Sequence, residues 1–211
     1  PMTPSSSLLH FLAANDETLG ITVMHPENEI AAINMAIGSA SAGARAMTGT
    51  SGGGFALMEE AFSLAGMTET PLLCLVASRP GPSTGVPTYT SQGDLSFVLG
   101  AGHGEFPRIV ASPGSIEEAF YLSAELMDYA WKFQTPCIIL TEKHLSESRM
   151  TVEPMPEKVE AAELPEHNGG EYKRYLDTPD GLLLVDTLNV PYATWLKAEL
   201  AKQFPGKPVK Y

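Results

Sequence analysis

Apolar and polar positions along the chain switch repeatedly between helical and extended periods. After Ser5, Ser6 and Ser7, residues that favour helix N-caps, the apolar positions Leu8, Leu9, Phe11 and Leu12 recur at helical spacing and predict a first helix ending near Asn15 and Asp16. Ile21, Thr22, Val23 and Met24 form a β-branched run that predicts a short strand. Beyond the His25-Pro26 break a long helix rich in Ala, Gly and Ser is predicted over 28–44, able to pack close to its neighbours. Residues 46–50 read as a strand running into Ser51-Gly52-Gly53-Gly54, and 55–66 as the next helix. Residues 71–78, Pro-Leu-Leu-Cys-Leu-Val-Ala-Ser, are apolar nearly throughout, as a parallel strand covered on both faces should be. A Gly-, Pro-, Ser- and Thr-rich segment, 79–93, follows it. A weaker strand at 108–111, an amphipathic helix at 115–132 and a buried strand at 137–141 continue the series.

Strands alternating with helices predict an α/β fold built on a doubly wound parallel sheet. Ligands of such sheets bind at the carboxyl ends of the strands, where four loops are unusual in composition: 1–6, 25–29, 50–54 and 79–93. This main domain is expected to span 1–145. From Glu142 the composition shifts to Glu, Pro and Lys, with Pro154, Pro156 and Pro165 interrupting regular structure, so 146–175 reads as a linker or wrapping arm. Residues 176–211 read as a partial second α/β domain: a strand at 181–186, a helix at 192–203 and the start of a strand at 207–211. One βαβ unit is too small to bury its own core. The opening residues look like the interior of a longer polypeptide, and the sequence leaves open whether segments are missing before Pro1, after Tyr211 or near 175–181.

Composition narrows the function. Thirteen Lys and Arg stand against 25 Asp and Glu, a formal charge of −12, which is the wrong long-range field for a phosphate backbone or an anionic membrane surface. No apolar run reaches the roughly 18 residues of a membrane span and no basic leader precedes one, so a cytoplasmic location is expected. The two cysteines, Cys74 and Cys137, match no zinc spacing and cannot alone hold an iron–sulfur cluster, and the five His form no ligand set. No metal site is expected on this chain.

The candidate chemistry is local. Ser51-Gly52-Gly53-Gly54 offers free N–H groups and close backbone approach, or is simply a tight strand-to-helix turn; it is neither a Walker loop nor Gly-x-Gly-x-x-Gly. Glu29 opens the small-residue helix, where the dipole favours a carboxylate, and reads either as functional or as part of a capping turn with Asn28. Arg79 stands just past the buried strand, placed to clamp a carboxylate or to form a surface ion pair. His103, between Gly102 and Gly104, reads as an acid or base, or as a solvated loop residue.

Several fragments in order carry a resemblance: Pro-Met-Thr-Pro-Ser-Ser at 1–6, Glu-Asn-Glu-Ile-Ala-Ala at 27–32, Ala-Gly-Ala-Arg-Ala-Met-Thr-Gly-Thr-Ser-Gly-Gly-Gly-Phe-Ala-Leu-Met at 42–58 and Arg-Pro-Gly-Pro-Ser-Thr-Gly-Val-Pro-Thr at 79–88. Gln-Gly-Asp-Leu at 92–95 and Gly-His-Gly-Glu-Phe-Pro at 102–107 extend it. Together they resemble the α subunit of 2-oxoacid:ferredoxin oxidoreductases, nearer the 2-oxoglutarate or broad 2-oxoacid branch. The resemblance covers about 1–145 and implies a pyrimidine-binding domain of the thiamine diphosphate-binding fold.

The resemblance assigns roles. Glu29 would hydrogen-bond the aminopyrimidine ring and hold or share a proton there. Thr3 would contact the substrate near its carbonyl and Arg79 would bind its carboxylate. Ser51, Gly52 and Gly53 would line the cofactor, while Ser83, Thr84 and His103 would border the substrate pocket. Thiamine diphosphate would be shared with a β subunit that carries the diphosphate site, Mg2+ and the iron–sulfur cluster, since Gly-Asp-Gly does not occur here. Coenzyme A would be the co-substrate, ferredoxin the electron acceptor, and an upstream γ-like domain a further element. Two other readings stay open at this point: a non-redox thiamine-dependent decarboxylase, and a non-catalytic flavodoxin-like binding module.

Overall fold

The computed structural model describes residues 2–156, Val159, Lys202 and the strands Tyr175–Thr178, Gly181–Leu184 and Val209–Lys210. The chain forms two compact units, Pro1–His167 and Asn168–Tyr211. In the first, α1 (Ser6–Ala14), α2 (Asp16–Leu19) and α3 (Glu29–Ser41) precede β1 (Met47–Ser51), α4 (Gly52–Met67) and β2 (Leu72–Ser78). Then come α5 (Leu95–Gly100), β3 (Ile109–Ala111), α6 (Ile116–Phe133), β4 (Pro136–Glu142) and α7 (Lys143–Glu147).

All pairings in this unit are parallel, in the order β1-β2-β4-β3, which is the α/β sheet expected. β2 lies inside the sheet, paired on both edges, and its side chains alternate between two buried faces. Leu72, Cys74 and Val76 enter a core with Ile33 and Ile37 of α3 and Phe55, Met58 and Phe62 of α4. Leu73 turns the other way, against Leu126 and Ala130 of α6 and Cys137 and Ile139 of β4. Burial pushes the Cys74 thiol well above its ordinary value, with the neighbouring Cys137 adding to the effect, and the Cys137 thiol up to about 12. Both are therefore protonated core groups rather than nucleophiles. Among the described residues no group of His, Cys, Asp or Glu could hold a metal ion, and no helix is long and apolar enough to cross a membrane.

Four local expectations are corrected. Residues 21–24 join no sheet, and Ile21 and Met24 are exposed. Gly20 turns left-handed at φ 64° and the Ile21 N–H bonds back to Asp16 O at 3.0 Å, so the run closes α2 instead of pairing with a strand. α3 ends at Ser41, because Gly43 at φ +93° folds the next residues back onto its last carbonyls. The glycine run does not precede a helix but begins one. Finally, two short helices lie where irregular chain was expected: α5, and α7, which Glu142 caps by accepting from His144 N at 2.6 Å and Leu145 N at 2.7 Å.

In the second unit β5 (Tyr175–Thr178) pairs antiparallel with β6 (Gly181–Leu184), Thr178 opposite Gly181, and β6 pairs parallel with β7 (Val209–Lys210). Residues 157, 158 and 160–174 of the expected linker and all but Lys202 of the expected helix at 192–203 lie outside the described residues, while Tyr175 at the linker's end opens β5.

Candidate active site

The site forms where β1 passes directly into α4 and β2 ends in the 79–93 loop. Successive residues of a helix turn by about 100°, so the three glycines of the first turn of α4 face three different neighbours. A Cβ on Gly52 would lie 2.7 Å from Asp94 Oδ2. On Gly53 it would lie 3.5 Å from the Ser83 carbonyl oxygen, 3.8 Å from Met2 Sδ and 3.9 Å from Arg79 Nη2. On Gly54 it would overlap Thr50 Oγ1 and stand 2.9 Å from Glu29 Cγ. Each glycine costs about 1 kcal/mol of helix propensity relative to Ala. At Gly52 and Gly54 that cost admits side chains for which any Cβ would leave no room.

Arg79 is the first residue past β2 and is only 7% exposed. Its Nη1 donates to the Thr3 carbonyl oxygen at 2.9 Å, Nη2 stands 3.9 Å from Met2 Sδ, and Nε has no partner among the described residues. Ser5 stitches the turn that presents Thr3: its N–H and hydroxyl both donate to Met2 O, at 2.9 and 2.7 Å. Ser5 thus serves this turn rather than capping α1. Ser83 approaches Gly53 through its backbone, with a left-handed φ of +56°, and Thr84 is exposed beside it.

Glu29 is half-buried at the start of α3. The capping role belongs to Asn28, whose Oδ1 accepts from Ala31 N at 2.9 Å. The Glu29 carboxylate has no hydrogen bond or ion pair among the described residues. Across Gly54 from it, Thr50 Oγ1 is buried, and it and the buried Ser51 Oγ at the end of β1 have no hydrogen-bond partner among the described residues. An unsatisfied buried hydroxyl costs about 1–3 kcal/mol. A buried hydroxyl and a carboxylate across a glycine turn fit the edge of a flat heteroaromatic ring that both donates and accepts, while the buried guanidinium beside Gly53 fits a small carboxylate.

Thr3, Glu29, Gly53, Arg79 and Ser83 therefore converge on one helical turn. His103 does not join them. It is exposed, and its N–H donates to Ser63 Oγ at 3.1 Å, about 15 Å further along α4 by the helical rise. Its loop is pinned there by Arg108, which donates to the Ala101 carbonyl and lies 4.0 Å over the Phe106 ring. Sequence reasoning placed Met2, Thr50 and Gly54 in its candidate loops without giving them individual roles, and missed Ser78 and Asp94 as parts of the site. The only available signal was for Asp94, which ends a long Gly- and Pro-rich stretch before the apolar run of α5 and so reads as a helix cap.

The glycines give a paired prediction. Gly54→Ala should lose about 1–3 kcal/mol through overpacking and lower the melting temperature by several degrees. Gly53→Ala, whose Cβ would make only ordinary contacts, should melt at or above the wild-type temperature. Thermal unfolding followed by circular dichroism checks both, and equal melting points for the two variants would contradict the geometry.

A family model described as "Pyruvate flavodoxin/ferredoxin oxidoreductase, thiamine diP-bdg" matches residues 1–202. The chain is 42% identical over 200 residues to the α subunit of 2-oxoacid:ferredoxin oxidoreductase 1 of Sulfurisphaera tokodaii, covering 86% of this chain and 32% of that one. It is 41% identical over 152 residues to the 2-oxoglutarate synthase subunit KorA of Archaeoglobus fulgidus, covering 72% of this chain and 44% of the relative. Among solved structures, it is similar to the 2-oxoglutarate:ferredoxin oxidoreductase from Magnetococcus marinus with 2-oxoglutarate, coenzyme A and succinyl-CoA bound. That match has a TM-score of 0.76 and 35% identity, over 91% of this chain and 34% of that chain. The chain thus spans about a third to under half of the length of these relatives.

Proposed function

Since the chain belongs to the thiamine diphosphate-binding family of pyruvate flavodoxin/ferredoxin oxidoreductases, we propose that it provides the pyrimidine- and 2-oxoacid-binding half of a composite active site. The whole enzyme oxidatively decarboxylates a 2-oxoacid to an acyl-CoA and CO2, and passes the electrons to ferredoxin through an iron–sulfur cluster on a partner subunit. The observation that carries this reading is the first turn of α4, which touches Glu29 at Gly54 and Arg79 at Gly53.

When bound, thiamine diphosphate supplies the carbon nucleophile for the 2-oxo carbon and takes up the electron pair left when CO2 departs. Glu29 would hold the proton shared with the aminopyrimidine ring nitrogen, with the Thr50 hydroxyl beside it across Gly54. Arg79 binds the substrate carboxylate; its burial keeps water from screening that pair. Thr3, fixed by the bond from Arg79 to its carbonyl, contacts the substrate near its carbonyl group. Because CO2 is neutral, Arg79 would hold the substrate carboxylate but not the CO2 formed from it.

The diphosphate and its Mg2+ belong to the partner. A carboxylate, Asp94, stands against Gly52 where the N-terminus of α4 would otherwise receive a phosphate. Relatives named for 2-oxoglutarate and for 2-oxoacids support a substrate in that range, and the complex is expected to work in the cytoplasm. Titration of thiamine diphosphate with Mg2+ into this chain, its partner and the assembled complex tests the division of labour. Tight binding should need the complex, and equally tight binding to this chain alone would overturn it.

A further inference from the structure

Asp94 does more than stand against Gly52. The 79–93 loop leaves the sheet after Ser78 and returns at Asp94, and one side-chain pair closes its base: Ser78 Oγ donates to Asp94 Oδ2 at 2.7 Å. Ser78 is 1% exposed. Asp94 sits in the N-cap position of α5 but makes no capping bond, so its carboxylate serves α4 and β2 rather than its own helix. All three terminal atoms of that carboxylate lie 2.7–3.1 Å from the Cβ position of Gly52, so the group packs flat on the first turn of α4. The positive end of a 16-residue helix favours a carboxylate there.

Above its base the loop is internally built. Val86 N–H donates to Pro80 O at 3.0 Å and Tyr89 N–H to Val86 O at 3.1 Å. Gly85, at φ +56°, packs so tightly on Pro80 O that no Cβ could fit. A loop stiff within itself moves about its base, and Arg79 is the residue next to the Ser78 end of that base.

We propose that Asp94 is a positioning residue for the carboxylate clamp: by gripping Ser78 and packing on Gly52 it locks the end of β2 to the first turn of α4, and so holds Arg79 in register with the 2-oxoacid. This rests on the function proposed above. Holding depends on an acceptor of the right shape, which an amide oxygen also provides. In the complex with the partner subunit, Asp94→Ala and Ser78→Ala should each raise the KM for the 2-oxoacid by about tenfold, the scale of one hydrogen bond to a charged acceptor. The affinity for thiamine diphosphate should stay at the wild-type value, and Asp94→Asn should restore most of the KM.

Amide hydrogen exchange across residues 80–93 supplies a readout independent of turnover, with protection lost in both Ala variants and kept in Asp94→Asn. If Asp94→Ala does not assemble, Ser78→Ala carries the test alone. Unchanged KM and unchanged exchange in Ser78→Ala would overturn the proposal, as would an Asp94→Asn variant as impaired as Asp94→Ala. A wild-type complex with no 2-oxoacid turnover would instead sink the functional reading, and loop exchange would still decide whether the tie exists.

Discussion

Glu29→Gln in the assembled complex lowers kcat by about 10²-fold or more, the scale expected for the loss of an acid or base group. The substitution keeps the size and the hydrogen-bonding edge of the side chain and removes only its ability to hold and return a proton. Folding should survive, because Asn28 and not Glu29 caps α3. The loss of a charge favoured by the helix dipole costs at most about 1 kcal/mol. Thiamine diphosphate should still bind, since the Thr50 hydroxyl and the glycine turn are untouched. Steady-state kinetics beside a cofactor titration and a thermal melt separate these effects. Near-normal kcat removes Glu29 from the mechanism, and a collapsed melting temperature would mean that its role is structural.

Arg79→Ala shows the opposite signature. It should raise the KM for every 2-oxoacid, lowering kcat/KM by roughly 10- to 100-fold, as expected for a charge-assisted, two-pronged carboxylate contact. Arg79→Lys should recover only part of this, because an ammonium keeps the charge but not the planar fork. The Ala variant also strips the Thr3 carbonyl of its donor, so some of the loss passes through the turn that presents Thr3. A comparison of the 2-oxoacid with the corresponding aldehyde, which lacks the carboxylate, divides the two contributions. Unchanged KM for all 2-oxoacids would remove Arg79 from substrate binding.

The sheet was legible because its signal is local and strong. Residues 71–78 are apolar on both faces only if both faces are covered, and β2 is covered on both. The glycine run was misread for an equally physical reason. Gly is a poor helix former, so three in succession read as a turn, yet α4 starts on the first of them because Asp94, Thr50 and Glu29 press against its first turn. The run at 21–24 was misread in the other direction: β-branched residues suit an extended backbone, but pairing is a non-local property that the run does not carry. The resemblance pointed to Glu29, Thr3 and Arg79, and the structure gathers them. It could not reveal Ser78 or Thr50, whose importance lies in contacts made across the fold, nor warn that the fragment carrying His103 docks far along α4.

On the proposed function, this chain contributes half of a thiamine-dependent, electron-transferring active site for 2-oxoacids. The most direct test is viologen reduction by the complex of this chain with a cysteine-rich partner, purified and assayed without oxygen. Reduction should require a 2-oxoacid, thiamine diphosphate and coenzyme A together, and should disappear when this chain is left out. Release of CO2 without coenzyme A and without viologen reduction, or full reduction by the partner alone, would contradict it.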